Sequence, residues 1–327
     1  MTHTRQQGVA LITALLVVAI ATVAAVSMAT RQQLDIRRTA SLLHSEQAWA
    51  YVLGAESWAR VILMRDKQDG NIDTLSEDWA TRPPVSVVEG GTIQGRILDM
   101  QGRFNVNSLV VNGEPDKDNI DRYKRLLRLL DLDEALVDPL VDWIDANIDV
   151  RFPDGAEDEA YLLLPVPYRA ANRPLVDISE LRLVQGYEPE VLAKLQPFVS
   201  ALPEPTAINI NTASAEVLSI LAENMSLADG EALVEARGEE GYTKVDSLSQ
   251  QPALNGKQQF NPGTLSVETK WFLLVSEANI GQGRARLASL IQRGDQAARV
   301  VRRQREFAEL VVAPVKEETT TGSAATN

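Results

Sequence analysis

The chain has no cysteine among its 327 residues. No disulfide can staple it, and no thiol can serve as nucleophile or metal ligand. It has two histidines, His3 and His44, both within the first 50 residues, so a Ser-His-Asp triad or a histidine-based zinc site in the rest of the chain is excluded. Aromatics are sparse, at 5 Trp, 6 Tyr and 6 Phe, and no aromatic platform of the kind that binds sugar flanks the acidic stretch described below. Positive charge is short as well: 32 Lys and Arg stand against 45 Asp and Glu, a formal net charge of −13. Affinity for a phosphate backbone comes mainly from Lys and Arg, so this balance argues against a nucleic-acid partner.

What is present begins with an apolar run. Residues 6–30 carry no charged side chain. The 22 residues 9–30 would span about 33 Å as a helix, matching a bilayer core of about 30 Å. On hydropathy alone this is an ordinary signal anchor. The run does not end in a cleavage site, however. It continues without Gly until Gly54 and without Pro until Pro83. Leu42, Trp49, Val52, Leu53, Ile62 and Leu63 recur near helical spacing, predicting one buried stripe. The expectation is a single helix of more than 50 residues that starts in the membrane and ends packed on a folded domain. Charge counting points the other way for orientation. Arg5 precedes the helix while Arg31, Arg37 and Arg38 follow it, which would place the C-terminal side inside. Long domains translocate largely regardless of such counts.

Further along, residues 85–88 and 92–100 flank Glu89-Gly90-Gly91 and read as a β-hairpin. Residues 270–277 and 284–292 flank a turn with Gly281 and Gly283 and read as a second; Ala285, Leu287, Ser289 and Ile291 alternate as in a half-buried strand. The stretch between the hairpins reads mostly as helix, which predicts an α+β body carrying a helical insert. In the segment at 98–109, Gly102 is expected at a tight bend, with Asn105 and Asn107 satisfying loop backbone groups. The basic run 299–307 reads as a solvated helix face, and 313–327 as a disordered tail.

Within the insert, residues 208–218 (Ile-Asn-Ile-Asn-Thr-Ala-Ser-Ala-Glu-Val-Leu) put Thr212 at a helix N-cap and Glu216 in the first turn. With residues 234–248 they form a pattern like the helix-hairpin-helix modules of DNA-uptake receptors, which hold phosphate on hairpin backbone amides. Here Glu223-Asn224-Met225-Ser226 replaces the expected Gly-x-Gly. Residues 206–250 hold eight acids against two bases, so phosphate would be repelled. Residues 142–161 hold seven acids and one base, Arg151. Asp145, Asn147 and Asp149 reproduce the first three oxygen positions of an EF-hand, but Val150 stands where Gly is required and Glu157 comes one place late. Two readings remain: an irregular calcium loop, or a solvated acidic loop. Paired carboxylates also suit a glycosidase, which nothing else in the sequence supports.

Several of these segments carry a resemblance. The junction of Arg5-Gln6-Gln7-Gly8 with Val9 resembles a prepilin leader, and the chain from Gly8 to about Ile291 is similar to the K minor pseudopilins of type II secretion. The resemblance implies that prepilin peptidase cuts between Gly8 and Val9 and that Val9 is then N-methylated. Most pilins carry Glu at the fifth mature position, where this chain has Thr13; K members typically lack the acid, having no subunit ahead to pair with it. K pseudopilins share the Gly155-Ala156-Glu157-Asp158 run and bind calcium. That implies Asp145, Asn147, Glu157 and Asp158 as ligands of a structural Ca2+, with Asp142 and Asp149 behind them.

The implied organisation is a leader at 1–8, a transmembrane segment at 9–30, a pilin-like body at 31–112 and 265–312, a helix-hairpin-helix or SAM-like insert at 113–264, and the tail. The implied function is non-enzymatic: an inner-membrane subunit with a cytoplasmic N-terminus and a periplasmic domain, at the tip of the pseudopilus. The implied partners are the I- and J-type minor pseudopilins, the major pseudopilin, the inner-membrane platform and the secretin. A minor pilin of a DNA-uptake system and a membrane-anchored periplasmic hydrolase are the alternatives.

Overall fold

The computed structural model of the chain describes residues 5–305, with side chains from Val9 onward. The tail at 313–327 lies outside the described residues. Helix α1 (Arg5–Asp69) runs unbroken for 65 residues, about 97 Å at 1.5 Å per residue. Its first part is long and apolar enough to cross a membrane, and Val9 through Met28 are exposed along it. Three hydroxyls in this part turn back on the helix: Thr13 donates to the Val9 and Ala10 carbonyls, Thr22 to Val18 and Thr30 to Val26. A hydroxyl satisfied within its own helix costs little in an apolar setting.

Beyond His44 the helix lies on an antiparallel five-stranded sheet of β1 (Ser86–Val88), β2 (Gly91–Asp99), β3 (Trp271–Ile280), β4 (Gly283–Arg293) and β5 (Ala298–Arg305). Both hairpins expected from sequence are present, and β2 pairs directly with β3, from Gly91 against Ile280 to Asp99 against Phe272. Gly91 is fixed by this pairing, since a Cβ there would sit 1.9 Å from the Asn279 carbonyl oxygen.

The buried stripe of α1 is Ala48, Val52, Glu56, Ala59 and Leu63. It packs on Phe272, Leu274, Ala278, Ile280, Leu287 and Ile291. Leu42, expected in the stripe, is exposed: the sheet begins only at His44, whose ring lies against Gly281. Glu56 is the polar member. It accepts from the Ser289 hydroxyl at 2.6 Å and from Arg303 at 2.7 and 2.8 Å. Burial opposes its charge, but Arg303 and Ser289 outweigh that and hold the carboxyl below its ordinary value.

The basic run read as a helix face is instead the edge strand β5. Its register sends alternate arginines to opposite faces: Arg303 to Glu56 and Arg305 over the Trp49 ring at 3.9 Å, Arg302 to Asp177 of the insert. β4 also departs from half-buried alternation. Ala288 and Leu290 are buried as well, because Leu202 and Met100 cover the second face of the sheet.

Residues 100–270 leave the end of β2 and return to the start of β3. Their core gathers around α2 (Lys117–Leu129), α3 (Val137–Ile144), α4 (Asp158–Leu162), α5 (Pro189–Leu195), α6 (Ala215–Ser219), α7 (Leu227–Arg237) and α8 (Val245–Ser249). This core starts at Phe104, ahead of residue 113. Asn105 and Asn107 do satisfy backbone: Asn105 accepts from Leu202 N and Asn107 N, and Asn107 bonds both backbone groups of Leu175.

Candidate functional site

The acidic stretch folds as a loop closing the end of α3. Asp142 lies in the last turn of α3, Asp145 caps its C-terminus, and Glu157 precedes α4 with no capping bond from its side chain. Asp142, Asp145 and Glu157 are 1%, 3% and 3% exposed. Arg151, the one base in the loop, pairs with Asp138 at 2.6 Å instead. Gly155 closes the loop where no side chain fits: a Cβ there would lie 2.2 Å from Asp142 Oδ2.

Buried polar oxygens are normally paired. Five here have no hydrogen-bond partner: Asp142 Oδ1, Asp145 Oδ1, both Glu157 carboxylate oxygens and Asn172 Oδ1. Burial, then the neighbouring carboxylates, push the Glu157 carboxyl up to about 7. Asp142 rises to about 6, chiefly by burial and with a contribution from Asp145. Three carboxylates this deeply buried, with Arg151 ion-paired to Asp138, fit a cation site, and an all-oxygen donor set fits calcium, which takes six to eight oxygens in flexible geometry.

The structure thus brings Asp145 and Glu157 together with Asp142 and Asn172. Asn147 lies beside Asp145; its Oδ1 accepts the Asp149 N–H at 2.8 Å, and its carbonyl takes Asn172 Nδ2. Asp158 is spent on Arg169 at 2.6 Å and on the Ala170 N–H at 3.0 Å. Asp149 is exposed. Asn172 had no signal in the sequence, being outside the acidic run.

A second acidic group is tighter but differently balanced. Asp66, Asp73 and Glu77 oxygens all lie within 4.8 Å of one another. The Arg293 guanidinium already sits among them, bound to Asp66 at 2.5 Å and to Asp73. Three carboxylates around one guanidinium leave excess negative charge. Burial first, then Glu77, push the Asp66 carboxyl up to about 7. Its folded value exceeds its unfolded one, so the stability it contributes is complete below about pH 4 and is lost as pH rises through 7. Asp66→Asn, with calcium present, should therefore show a smaller fall in melting temperature between pH 5 and 8 than wild type does. An unchanged difference between the two pH values would refute this.

The Ile-Asn-Ile-Asn-Thr motif is a joint. Ile208–Asn209 pairs in parallel with Leu265–Ser266. Asn209, fully buried, donates through Nδ2 to Asp73 O, Asp99 Oδ2 and Thr269 Oγ1. Asn211 bonds both backbone groups of Tyr242. Thr212, expected as an N-cap, instead donates to Asp99 Oδ2 at 2.5 Å, and Ser214 caps α6. Gly102 is needed for this approach, since a Cβ there would meet Thr212 Oγ1 at 2.6 Å. Burial pushes the Asp99 carboxyl up, against donors from Thr212, Thr269, Gln101 and Asn209.

In the hairpin between α6 and α7, Asn224 takes a left-handed turn at φ 56°. Ser226 and Asp229 form a capping box at the start of α7, and Lys257 binds Asp229 at 3.1 Å and Asn224 O at 2.6 Å. The amides that would face a phosphate are held by this chain's own carboxylate. Gly8 and Val9, the expected processing junction, lie within the first turns of α1.

With this geometry in hand, the comparisons are specific. Two family models, both described as type II secretion system protein K, match residues 102–204 and 208–268. A type II secretion system protein K of Pseudomonas aeruginosa is 42% identical over 91% of this chain and 92% of its own length. One from Aeromonas hydrophila is 33% identical over 89% of this chain and 94% of its own. Among solved structures, a chain of the GspK-GspI-GspJ complex from the type 2 secretion system of enterotoxigenic Escherichia coli superposes with a TM-score of 0.75 at 31% identity, covering 83% of this chain and 100% of that one. A pilin-like body split by a helical insert, with these matches across both parts, places the chain in the type II secretion system protein K family.

Proposed function

We propose that the chain is a membrane-anchored, non-enzymatic minor pseudopilin that caps the pseudopilus and starts its assembly. The observation that carries this reading is the likeness, over 83% of the chain, to a subunit of a solved three-protein complex of that secretion system. On this reading α1 anchors the protein in the inner membrane and the sheet and insert stand in the periplasm, with I- and J-type pseudopilins as partners.

Two features support a terminal position. Thr13 returns its hydroxyl to its own helix and offers no carboxylate to a subunit ahead. The insert is rooted at the C-terminal end of α1, away from the apolar segment, through Lys67 with Glu268 and Asp73 N with Val267 O. In the same reading, Asp142, Asp145, Glu157 and Asn172 hold a calcium ion. The ion would neutralise the buried carboxylates and hold the loop where no disulfide can, with no reaction step assigned to it.

In a strain lacking the chain, secretion of exported proteins should stop and be restored by wild type; continued secretion without the chain would sink the reading. Gly8→Ala should leave the leader uncut, read as a mature mass heavier by the eight residues, and should fail to restore secretion. Normal maturation of that variant would count against processing at this junction.

A further inference from the structure

The insert carries its exposed apolar side chains in one region. Between Val87 and Leu227, every large apolar residue that is exposed lies in residues 148–183. Phe152 is 92% exposed, Leu163 86%, Val166 78% and Ile148 75%. Tertiary contacts tie these segments to one another. Asn172 Nδ2 donates to the Asn147 carbonyl, and Tyr161 stacks on Tyr168 with ring centroids 5.4 Å apart. Both rings stand edge-on to Trp143, and the Tyr168 hydroxyl donates to the Leu183 carbonyl at 2.8 Å. Single exposed apolar residues are ordinary, but a concentration of them on one part of a fold marks an interaction surface.

The same segments wall the buried carboxylates. Ile148, Val150 and Phe152 stand in the loop that leaves α3 at Asp145 and reaches α4 at Glu157, and Leu163 and Val166 follow α4. A cation held by Asp142, Asp145 and Glu157 would pin both ends of that loop and so fix Phe152 relative to Leu163. The charge around the patch has one sign. The three bases within residues 145–176 are already taken: Arg151 by Asp138, Arg169 by Asp158 and Arg173 by Glu180. The exposed acids Asp149, Asp154 and Glu159 have no ion-pair partner among the described residues. This rim opposes a second copy of a chain of net charge −13 and an anionic lipid surface. It complements a protein segment whose apolar side chains are flanked by Lys or Arg.

We propose that calcium assembles this patch into a docking surface for a partner protein, which presents a segment of apolar residues framed by basic ones. The proposal rests on the reading of Asp142, Asp145, Glu157 and Asn172 as a calcium site. The surface belongs to the insert and uses no residue of α1. Phe152, Leu163 and Val166 supply the apolar contact at its centre, and the acids at its rim supply orientation and speed of encounter. Calcium acts as the switch, because the loop that displays Phe152 is the loop that the metal closes.

The test puts a photocrosslinking benzoylphenylalanine in place of Leu163 in the full-length chain, in a secreting strain, and maps the adducts by mass spectrometry. A discrete protein adduct is expected, joined through a segment of apolar residues flanked by Lys or Arg. Phe152→Asp should lower its yield at least about tenfold, as loss of an aromatic anchor does, and should leave the melting temperature unchanged because the ring faces solvent. Asp154→Lys with Glu159→Lys should lower the yield likewise. Glu231→Lys with Glu235→Lys, both exposed on α7, should keep the wild-type yield. Asp142→Asn should lose the adduct together with the melting response to calcium. No adduct, adducts only with lipid or with a second copy of this chain, an adduct through an acidic segment, or full yield from Phe152→Asp overturns the docking surface. Full yield from Asp142→Asn beside a lost calcium response overturns the switch. A wild-type chain whose melting ignores calcium removes the metal reading itself, and the switch with it.

Discussion

Adding EGTA to the full-length protein in detergent is expected to lower its melting temperature by about 5–10 °C. A ligand present at a hundredfold its Kd stabilises by about 2.7 kcal/mol, and in chains of this size each kcal/mol shifts melting by about 2–4 °C. The cause lies in five buried oxygens of Asp142, Asp145, Glu157 and Asn172 that nothing in the chain pairs. Asp142→Asn should abolish most of the response to calcium. Asp158→Asn should keep it, because that carboxylate is already held by Arg169 and the Ala170 N–H. The two variants therefore separate the ligand set drawn by the fold from the one implied by the family resemblance. Melting curves that coincide with and without chelator would remove the metal.

The second large effect is expected at Asp99. Asp99→Ala should cost at least about 3 kcal/mol in urea unfolding, because it leaves several buried neutral donors unpaired, each at about 1–3 kcal/mol. Four donors converge on this carboxylate, from Thr212, Thr269, Asn209 and the Gln101 N–H. Thr212→Val removes one of them and should cost about 1–2 kcal/mol. A loss below about 1 kcal/mol for Asp99→Ala would mean the network contributes little to holding the insert on the sheet.

The parts of the fold legible in the sequence were those governed by local pattern. A helix with no Gly between residues 8 and 54, and hairpins with glycines at their turns, follow from backbone rules that need no tertiary knowledge. The stripe on α1 was legible in type but shifted in register, because Ala48, Glu56 and Ala59 lack the bulk that marks a core position. β5 was misread because its arginines look solvated in one dimension. Only the sheet reveals that Arg303 and Arg305 turn toward α1 while Arg302 turns toward Asp177.

At the candidate metal centre the same division holds. Asp145 and Asn147 were marked by EF-hand-like spacing and Glu157 and Asp158 by the resemblance of residues 155–158, whereas the pairing of Asp158 with Arg169 needed the fold. Asn172 entered only through folding, which returns the chain after α4 to Asn147. The Ile-Asn-Ile-Asn-Thr string was visible as unusual, but its purpose depended on Asp73, Asp99 and Thr269, which lie far away in sequence.

Since β2 and β3 are hydrogen-bonded neighbours, with Asp99 facing Phe272, everything between them leaves and re-enters the sheet at one point. Excising residues 100–270 and splicing Asp99 to Trp271 with a tight turn would convert the crossover into a plain meander that keeps the paired residues from Gly91 with Ile280 to Asp99 with Phe272. Such a miniature would lose the cover over Leu273 and Leu290 and would need polar replacements there to remain soluble. The large helical block is, in topology, an insertion between two strands that already pair with each other.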